Sequence, residues 1–237
     1  MIDLEVFWAK FVEKTSEHMS LLQHSRDITS VINEVSKKLL APASEEFLQS
    51  ILGETPLHEI LTLAAISHDV GKASPYFQQK VPSLSQRVTH QGYGSDVTSK
   101  EIYANPHSII SAHTLIAWFE QHRGFKLSPP DREFWFHVIA GHHGAYSEFS
   151  LPSDALLREI RIWPKWQEAR FALLDKLTSE HDLDEESLHG LASIFGDRME
   201  NNMLSTSAAA LITGLLISAD WVASSSDTFA EDWFIVD

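Results

Sequence analysis

The sequence predicts an all-α fold in a single domain spanning residues 1–237. Three observations predict it. Apolar residues recur at three- and four-residue spacing in nearly every segment, helix start and stop signals bracket those segments, and strand-like alternation persists nowhere. Residues 2–14 carry Leu4, Phe7, Trp8, Phe11 and Val12 at helical spacing. The stretch from His24 to Leu40 repeats the pattern through Ile28, Val31, Ile32, Val35 and Leu39. A short helix around 44–52 stops at Gly53, and Thr55-Pro56 then supplies an N-cap and first-turn pair for "TPLHEILTLAAISHD". The next helix runs from Pro106 to about His122. "SPPDREFWFHVIAGHHG" forms another, with acidic residues in its first turn and Gly144 beyond its end. Residues 153–178 are helical with a break at Pro164, and "DLDEESLHGLASIF" and "NNMLSTSAAALITGLLISADWVAS" complete the set. The main irregular segment is 81–105, rich in Ser, Gly, Gln and Thr; loops of that length tend to be functional or mobile.

A hydrophobic content of 43% over 237 residues supports a real core. The formal net charge of −15 argues against nucleic-acid binding by bulk electrostatics, because neutralising phosphates needs clustered Lys and Arg. It leaves room for a nucleic-acid enzyme whose positive charge comes from a bound ion or a neighbouring basic domain. The chain has no cysteine, which excludes disulfides and thiolate ligands. Any metal must sit on nitrogen and oxygen, and 13 histidines supply candidates. No apolar run approaches the roughly 20 residues that span a bilayer, and charges interrupt every apolar group of "MIDLEVFWAKFVEKTSEHM". A cytoplasmic location with no membrane partner is the expectation.

Five places put a metal-capable residue at or near a helix end, or in a helix able to face a common centre. They are His24, His68-Asp69, His107 (with His113 six residues on), His142-His143 and Asp220. Neighbours on a helix diverge by about 100°, given roughly 3.6 residues per turn, so one doublet can serve two metals. Both doublets fall where a helix stops, just before Gly71 and Gly144, where the last carbonyls favour a cation. Each residue alone is a weak signal, since most histidines in helices ligate nothing. The order His…His-Asp…His…His-His…Asp is far more specific. Imidazole plus carboxylate without sulfur suits Mn, Fe, Co, Ni or Zn. Asp220 lies in so apolar a helix that its carboxylate requires a partner.

That order is similar to the ligand order of the HD superfamily of metal-dependent phosphohydrolases. More narrowly, "HDVGKASPYFQ" resembles the HD.GK…FQ signature of the nuclease domain of the type I CRISPR-associated helicase-nuclease, Cas three. The resemblance runs through "HSRD" at 24–27, "PHSIISA" at 106–112, "AGHHG" at 140–144 and "LLISADWVAS" at 215–224, and covers most of the chain. Related cyclic-dinucleotide phosphodiesterases also carry a His-His pair, but "QGYGS" at 91–95 does not reproduce their Gly-Tyr-Pro signature.

The resemblance implies an HD-domain helical bundle with a metal site at its centre. It implies two divalent transition metal ions, with Mn, Fe, Co or Ni expected and Mg admissible. His24, His68, Asp69 and Asp220 would hold the first, and Asp69 would bridge to a second held by His107, His142 and His143. His107 matches by its place at the start of "HSIISA"; His113, on another face of the same helix, is the alternative. Lys72 would lie beside the metals and neutralise phosphate charge, so that Asp69 and Lys72 are the catalytic residues. Asp27 occupies a family-like position as a neighbour of the site or a helix-surface residue.

The function implied by the resemblance is hydrolysis of single-stranded DNA, endo- or exonucleolytic, as the degradative half of type I CRISPR interference. The implied partners are a superfamily 2 helicase, fused or separate, and the Cascade surveillance complex with its guide RNA. The sequence contains no Gly-x-x-x-x-Gly-Lys-Ser/Thr motif, and "EDWF" near its end reads as a junction, so a stand-alone subunit or a fragment is expected. The alternatives are an HD-type nucleotide phosphohydrolase and a catalytically silent, metal-stabilised interaction module. Among the remaining residues, His18, His58, His90, His122, His181 and His189 are expected in solvent or loops. Trp8, Trp118, Trp135 and Trp221 are expected in the core, and Trp163 and Trp166 on the surface against a partner.

Overall fold

The computed structural model describes residues 2–145, 148–196 and 202–225. Helices α1 (Leu21–Leu39), α2 (Pro42–Leu52) and α3 (Leu57–Ser67) come first, and the one-turn α4 (Pro75–Gln78) follows a 3-10 turn at Val70–Lys72. Next are α5 (Pro82–His90), α6 (Ser99–Ala104), α7 (His107–Ala117) and α8 (Pro129–Ala140). A π turn, Trp118–His122, extends α7, and a 3-10 turn, Gly141–His143, extends α8. The last are α9 (Asp154–Ile162), α10 (Lys165–Glu180), α11 (Glu185–Ala192) and α12 (Asn202–Ser224). The all-α class holds, and the junction-like "EDWF" lies outside the described residues.

Helix α3 is apolar on every side, and each residue from Ile60 to Ser67 is buried. A helix of that kind belongs inside a core. Helices α1, α2, α7, α8, α10, α11 and α12 all pack against it. The end of α3, which carries His68 and Asp69, is therefore held from several directions at once.

Two segments differ from the sequence expectation. Residues 2–14 do not form a helix: a 3-10 turn at Leu4–Val6 leads into strand β1 (Trp8–Val12), which pairs antiparallel with β2 (Glu17–Ser20). Short apolar runs fit both periods, and here the β-branched and aromatic content of "VFWAKFV" prevails. Ser16 closes the hairpin at φ 58°, a turn conformation no helix contains. Segment 81–105 is not one long loop, since α5 and α6 lie within it. Helix α6 begins with a capping box, in which Thr98 accepts from the Glu101 backbone and Glu101 accepts from the Thr98 backbone. The Thr-x-x-Glu spacing that announces it is present in the sequence.

Helix α12 also departs from expectation. By length and composition, Leu204–Ser224 is long and apolar enough to cross a membrane, the single such helix among the described residues. Ala208, Ala209, Ile212, Leu215, Leu216 and Ala219 form its buried face, which packs mainly against α1 and α8. Trp221 is on the opposite side and exposed, not in the core. Trp166 reverses the other way, fully buried beside Phe7 and Tyr93.

Candidate metal centre

Five elements bring their ends or one face to a common point. His24 lies in the first turn of α1, and His68 caps α3 with helical dihedrals. Asp69 then leaves the helix at φ −108°, ψ 3°, which turns its carboxylate back over the helix end. His107 opens α7, His142 and His143 occupy the 3-10 turn after α8, and Asp220 lies near the end of α12. Gly144 ends that turn at φ 80°, a left-handed conformation that favours glycine.

The donor atoms form two sets of three. His24, His68 and Asp220 are one and His107, His142 and His143 the other, each with its ligand atoms within 4.8 Å of one another. Asp69 stands between them. Its Oδ2 is 3.0 Å from His24 Nε2, 3.4 Å from His68 Nε2 and 2.6 Å from Lys72 Nζ. Its Oδ1 is 3.1 Å from His107 Nε2 and 3.5 Å from His142 Nε2. Asp220 Oδ1 lies 3.4 Å from His24 Nε2, and His107 Nε2 meets His143 Nε2 at 2.9 Å.

Two of the rings are oriented from behind. His68 Nδ1 is 2.8 Å from the Ala65 carbonyl, and His142 Nδ1 is 2.7 Å from the Ile139 carbonyl. A carbonyl can only accept, so each Nδ1 carries the proton and each Nε2 presents a lone pair to the centre. The inner faces of these groups are unsatisfied. His24 Nε2, His68 Nε2, His142 Nε2 and Asp69 Oδ1 are buried without a hydrogen-bond partner. Leaving a buried polar atom unpaired costs about 1–3 kcal/mol each, and several at one point are tolerated when a cation satisfies them. The donor set, imidazole and carboxylate only, fits divalent metal.

Electrostatics agree with that fit. Burial pushes the Asp69 carboxyl up, but Lys72 and the surrounding imidazoles hold it well below the usual carboxylate range. Burial lowers His24 and His107 against the opposing pull of Asp69. Burial, with His142 and His107 nearby, lowers His143 to about 4. His68 moves upward, the attraction of Asp69 outweighing its burial. Asp220 is lowered: burial opposes this, but His68 and His24 face it. An ionised carboxylate among mostly neutral imidazoles is the protonation state that metal ligation requires.

The surrounding residues explain other letters of the motif. A Cβ on Gly71 would lie 2.2 Å from the His107 carbonyl oxygen and 2.6 Å from Ser111 N. Gly71 N instead donates to Ser111 Oγ at 2.8 Å, docking the turn on the start of α7. Gln78, fully buried, donates to the carbonyls of Trp8 and Lys72, both at 2.9 Å, and accepts from Trp8 N. It ties β1 to the turn that carries Lys72. Arg170 and Glu159 form a buried ion pair at 2.6 Å, and Arg170 also donates to the Ala73 carbonyl. The sequence does not single out that pair, because its members lie eleven residues apart on two different helices and far in sequence from Ala73.

Of the predicted site residues, the structure gathers His24, His68, Asp69, Lys72, His107, His142, His143 and Asp220. It leaves His113 apart, buried against Phe136 with Nε2 unpartnered. Asp27 is also apart and accepts from Gln23 one turn earlier. Lys10 is an addition: it reaches from β1 to 3.7 Å from Asp220 Oδ1 and contacts Ser224 Oγ. No local signal marks Lys10, because 210 residues separate it from Asp220 and only the fold joins them.

Comparison with known proteins places this geometry. A family model described as Cas3, HD domain, matches residues 8–229. The CRISPR-associated nuclease/helicase Cas3 of Streptococcus thermophilus is 23% identical over 95% of this chain and 25% of its own length. The crystal structure of T. fusca Cas3-ADP superposes with TM-score 0.71 at 23% identity, covering 97% of this chain and 24% of that one. A crystal structure of a CRISPR-associated protein gives TM-score 0.67 at 25% identity over 94% and 23%. The chain spans about a quarter of the length of each of these relatives.

Proposed function

This chain belongs to the Cas3 HD-domain family, and on that premise we propose that it is a metal-dependent nuclease hydrolysing phosphodiester bonds of single-stranded DNA. The observation that carries the proposal is Asp69, which turns one oxygen to each donor set. His24, His68, Asp69 and Asp220 would hold one divalent ion, and Asp69, His107, His142 and His143 would hold a second. Mn, Fe, Co and Ni suit the donors, with Mg admissible. Such ions, when bound, supply Lewis acidity that activates water near neutral pH and clamps phosphoryl oxygens.

The chain's own residues do the rest. The Ala65 and Ile139 carbonyls fix the rings of His68 and His142, so their lone pairs need no reorganisation. Lys72 holds Asp69 ionised and presents an ammonium where phosphate charge accumulates. His143 and Asp220 are the more open members of the two sets, so substrate approaches from their side. The proposed setting is type I CRISPR interference in the cytoplasm. A superfamily 2 helicase supplies the strand, and the Cascade complex with its guide RNA supplies the target.

The test is to incubate circular single-stranded DNA with the chain and Mn²⁺, Ni²⁺ or Co²⁺, beside Asp69→Ala. Linearisation and degradation by the wild type, lost by at least about 100-fold in the variant, is the expected result, because even groups that only support a metal ligand cost about 10–100-fold when removed. Nucleotide hydrolysis with the DNA untouched would overturn the nuclease reading.

A further inference from the structure

In a chain of formal net charge −15, three lysines gather beside the metal centre. Lys72 Nζ is 2.6 Å from Asp69 Oδ2, and Lys10 Nζ is 3.7 Å from Asp220 Oδ1. Lys72 and Lys80 both lie over the ring of Phe77, at 5.3 and 4.8 Å from its centroid. Lys72 alone belongs to the motif that marks the site; the other two come from β1 and from the turn after α4.

The hairpin is shaped to deliver Lys10. Trp8 pairs with Ser20 and Lys10 with Met19, so two residues on β1 oppose one on β2 and Ala9 is the extra residue of a bulge. Bulges re-aim the side chains beside them and are frequent next to active sites. The strand is also pinned, because Gln78 bonds the Trp8 backbone on one side and the Lys72 carbonyl on the other.

A purely structural role does not account for either lysine. The Lys10–Asp220 pair is partly exposed, and such pairs contribute about 0–1 kcal/mol. Asp220 is already a member of a donor set, and a cation held there would take up its charge, so that the Lys10 ammonium would be free for another anion. Lys80 is exposed, with the Phe77 ring and the like charge of Lys72 as its neighbours. A single nucleotide needs one phosphate site at the metals; further ammonium groups, Lys10 by Asp220 and Lys80 over the Phe77 ring, match a polymer.

We propose that Lys10 and Lys80 are phosphate-positioning residues that hold the backbone phosphates flanking the scissile one, so that a single strand crosses the metal centre beside the β1–β2 hairpin. The inference rests on the nuclease reading above. It is tested on the full chain in Mn²⁺ by anisotropy of a labelled, cleavage-resistant phosphorothioate oligothymidylate between about 50 and 200 mM salt, the range over which such electrostatic contacts weaken. Each phosphate contact to a single strand contributes about 0.7 to the slope of log affinity against log salt. Lys10→Gln and Lys80→Gln are each expected to reduce the slope by about 0.7 and the double variant by about 1.4. Lys80→Arg is expected to restore it, and the exposed Lys100→Gln on α6 to leave it unchanged. On ordinary DNA the two Gln variants are expected to raise KM more than they lower kcat. Slopes that coincide for wild type and both Gln variants, in a chain that cleaves DNA, overturn the track and leave the nuclease standing. A reduced slope in a chain that cleaves no DNA supports the track and overturns the nuclease.

Discussion

Asp69, at the end of α3, and His113, on α7, are both buried, yet physical chemistry gives them opposite fates. Asp69 is surrounded by donors that keep it ionised, whereas His113 faces the Phe136 ring and has no partner at Nε2. Burial lowers His113 to about 4. Its folded value thus lies below the ordinary 6.5, and below that pH the unfolded chain binds the extra proton. Stability from this residue is complete above pH 6.5 and is lost progressively as pH falls toward 4, at about 1.4 kcal/mol per pH unit. Replacing it should remove one proton from the acid limb. Urea unfolding of metal-free wild type and His113→Leu at pH 7 and pH 5 measures this. The variant is expected to lose less stability between the two pH values, and equal losses would show that His113 does not titrate on unfolding. The sequence favours His107 over His113, six residues on, only through its match to the family motif. Burial and the direction of α7 separated them.

At the scale of elements, the centre depends on how closely the turn after α3 sits on the first turn of α7. Gly71 makes that approach, and the two atoms its Cβ would strike first, His107 O and Ser111 N, are backbone, which cannot swing aside. Gly71→Ala should therefore push α7 outward and move His107 from Asp69. Overpacking of this kind costs about 1–3 kcal/mol. Urea unfolding in EDTA should record that loss, and calorimetric titration with Mn²⁺ should show weakened binding. Unchanged values in both would show that the two elements are not tightly coupled. Elements were unevenly legible. α3, α8 and α12 were readable because long apolar patterns admit one secondary structure, and the caps at Gly53 and Gly144 were readable as letters. The N-terminal hairpin was not, because five or six apolar residues fit a helical and an extended period equally until neighbours choose. Its neighbours here are Phe77 and Leu84, on which Trp8 and Phe11 pack.

Across the whole molecule, the donors join α1, the end of α3, α7, the turn after α8 and α12, segments spread from residue 24 to residue 220. Binding at such a junction stabilises the entire fold, since the unfolded chain cannot assemble the set. Ligand at 100 times its Kd adds about 2.7 kcal/mol, which at this size corresponds to roughly 2–4 °C in Tm per kcal/mol. Thermal unfolding should therefore shift upward by several degrees when EDTA is replaced by excess Mn²⁺. Asp69→Ala should show little of that shift. A wild-type Tm indifferent to metal would remove the centre from the account of stability.

Sequence by itself determined the all-α class, most of the longer helices and the list of metal-capable residues, because periodicity, caps and the His…His-Asp…His…His-His…Asp order are local or one-dimensional properties. Tertiary structure alone decided which of those residues converge. It brought together the two sets about Asp69 that the family resemblance implies, left His113 and Asp27 apart, admitted Lys10 from a strand whose sequence also fits a helix, and assigned Gly71, Gln78 and Arg170 to holding the turn in place. The physical reason is range. Hydrophobic spacing is encoded over a turn or two of chain, whereas a carboxylate shared by imidazoles from distant helices depends on packing among all of them.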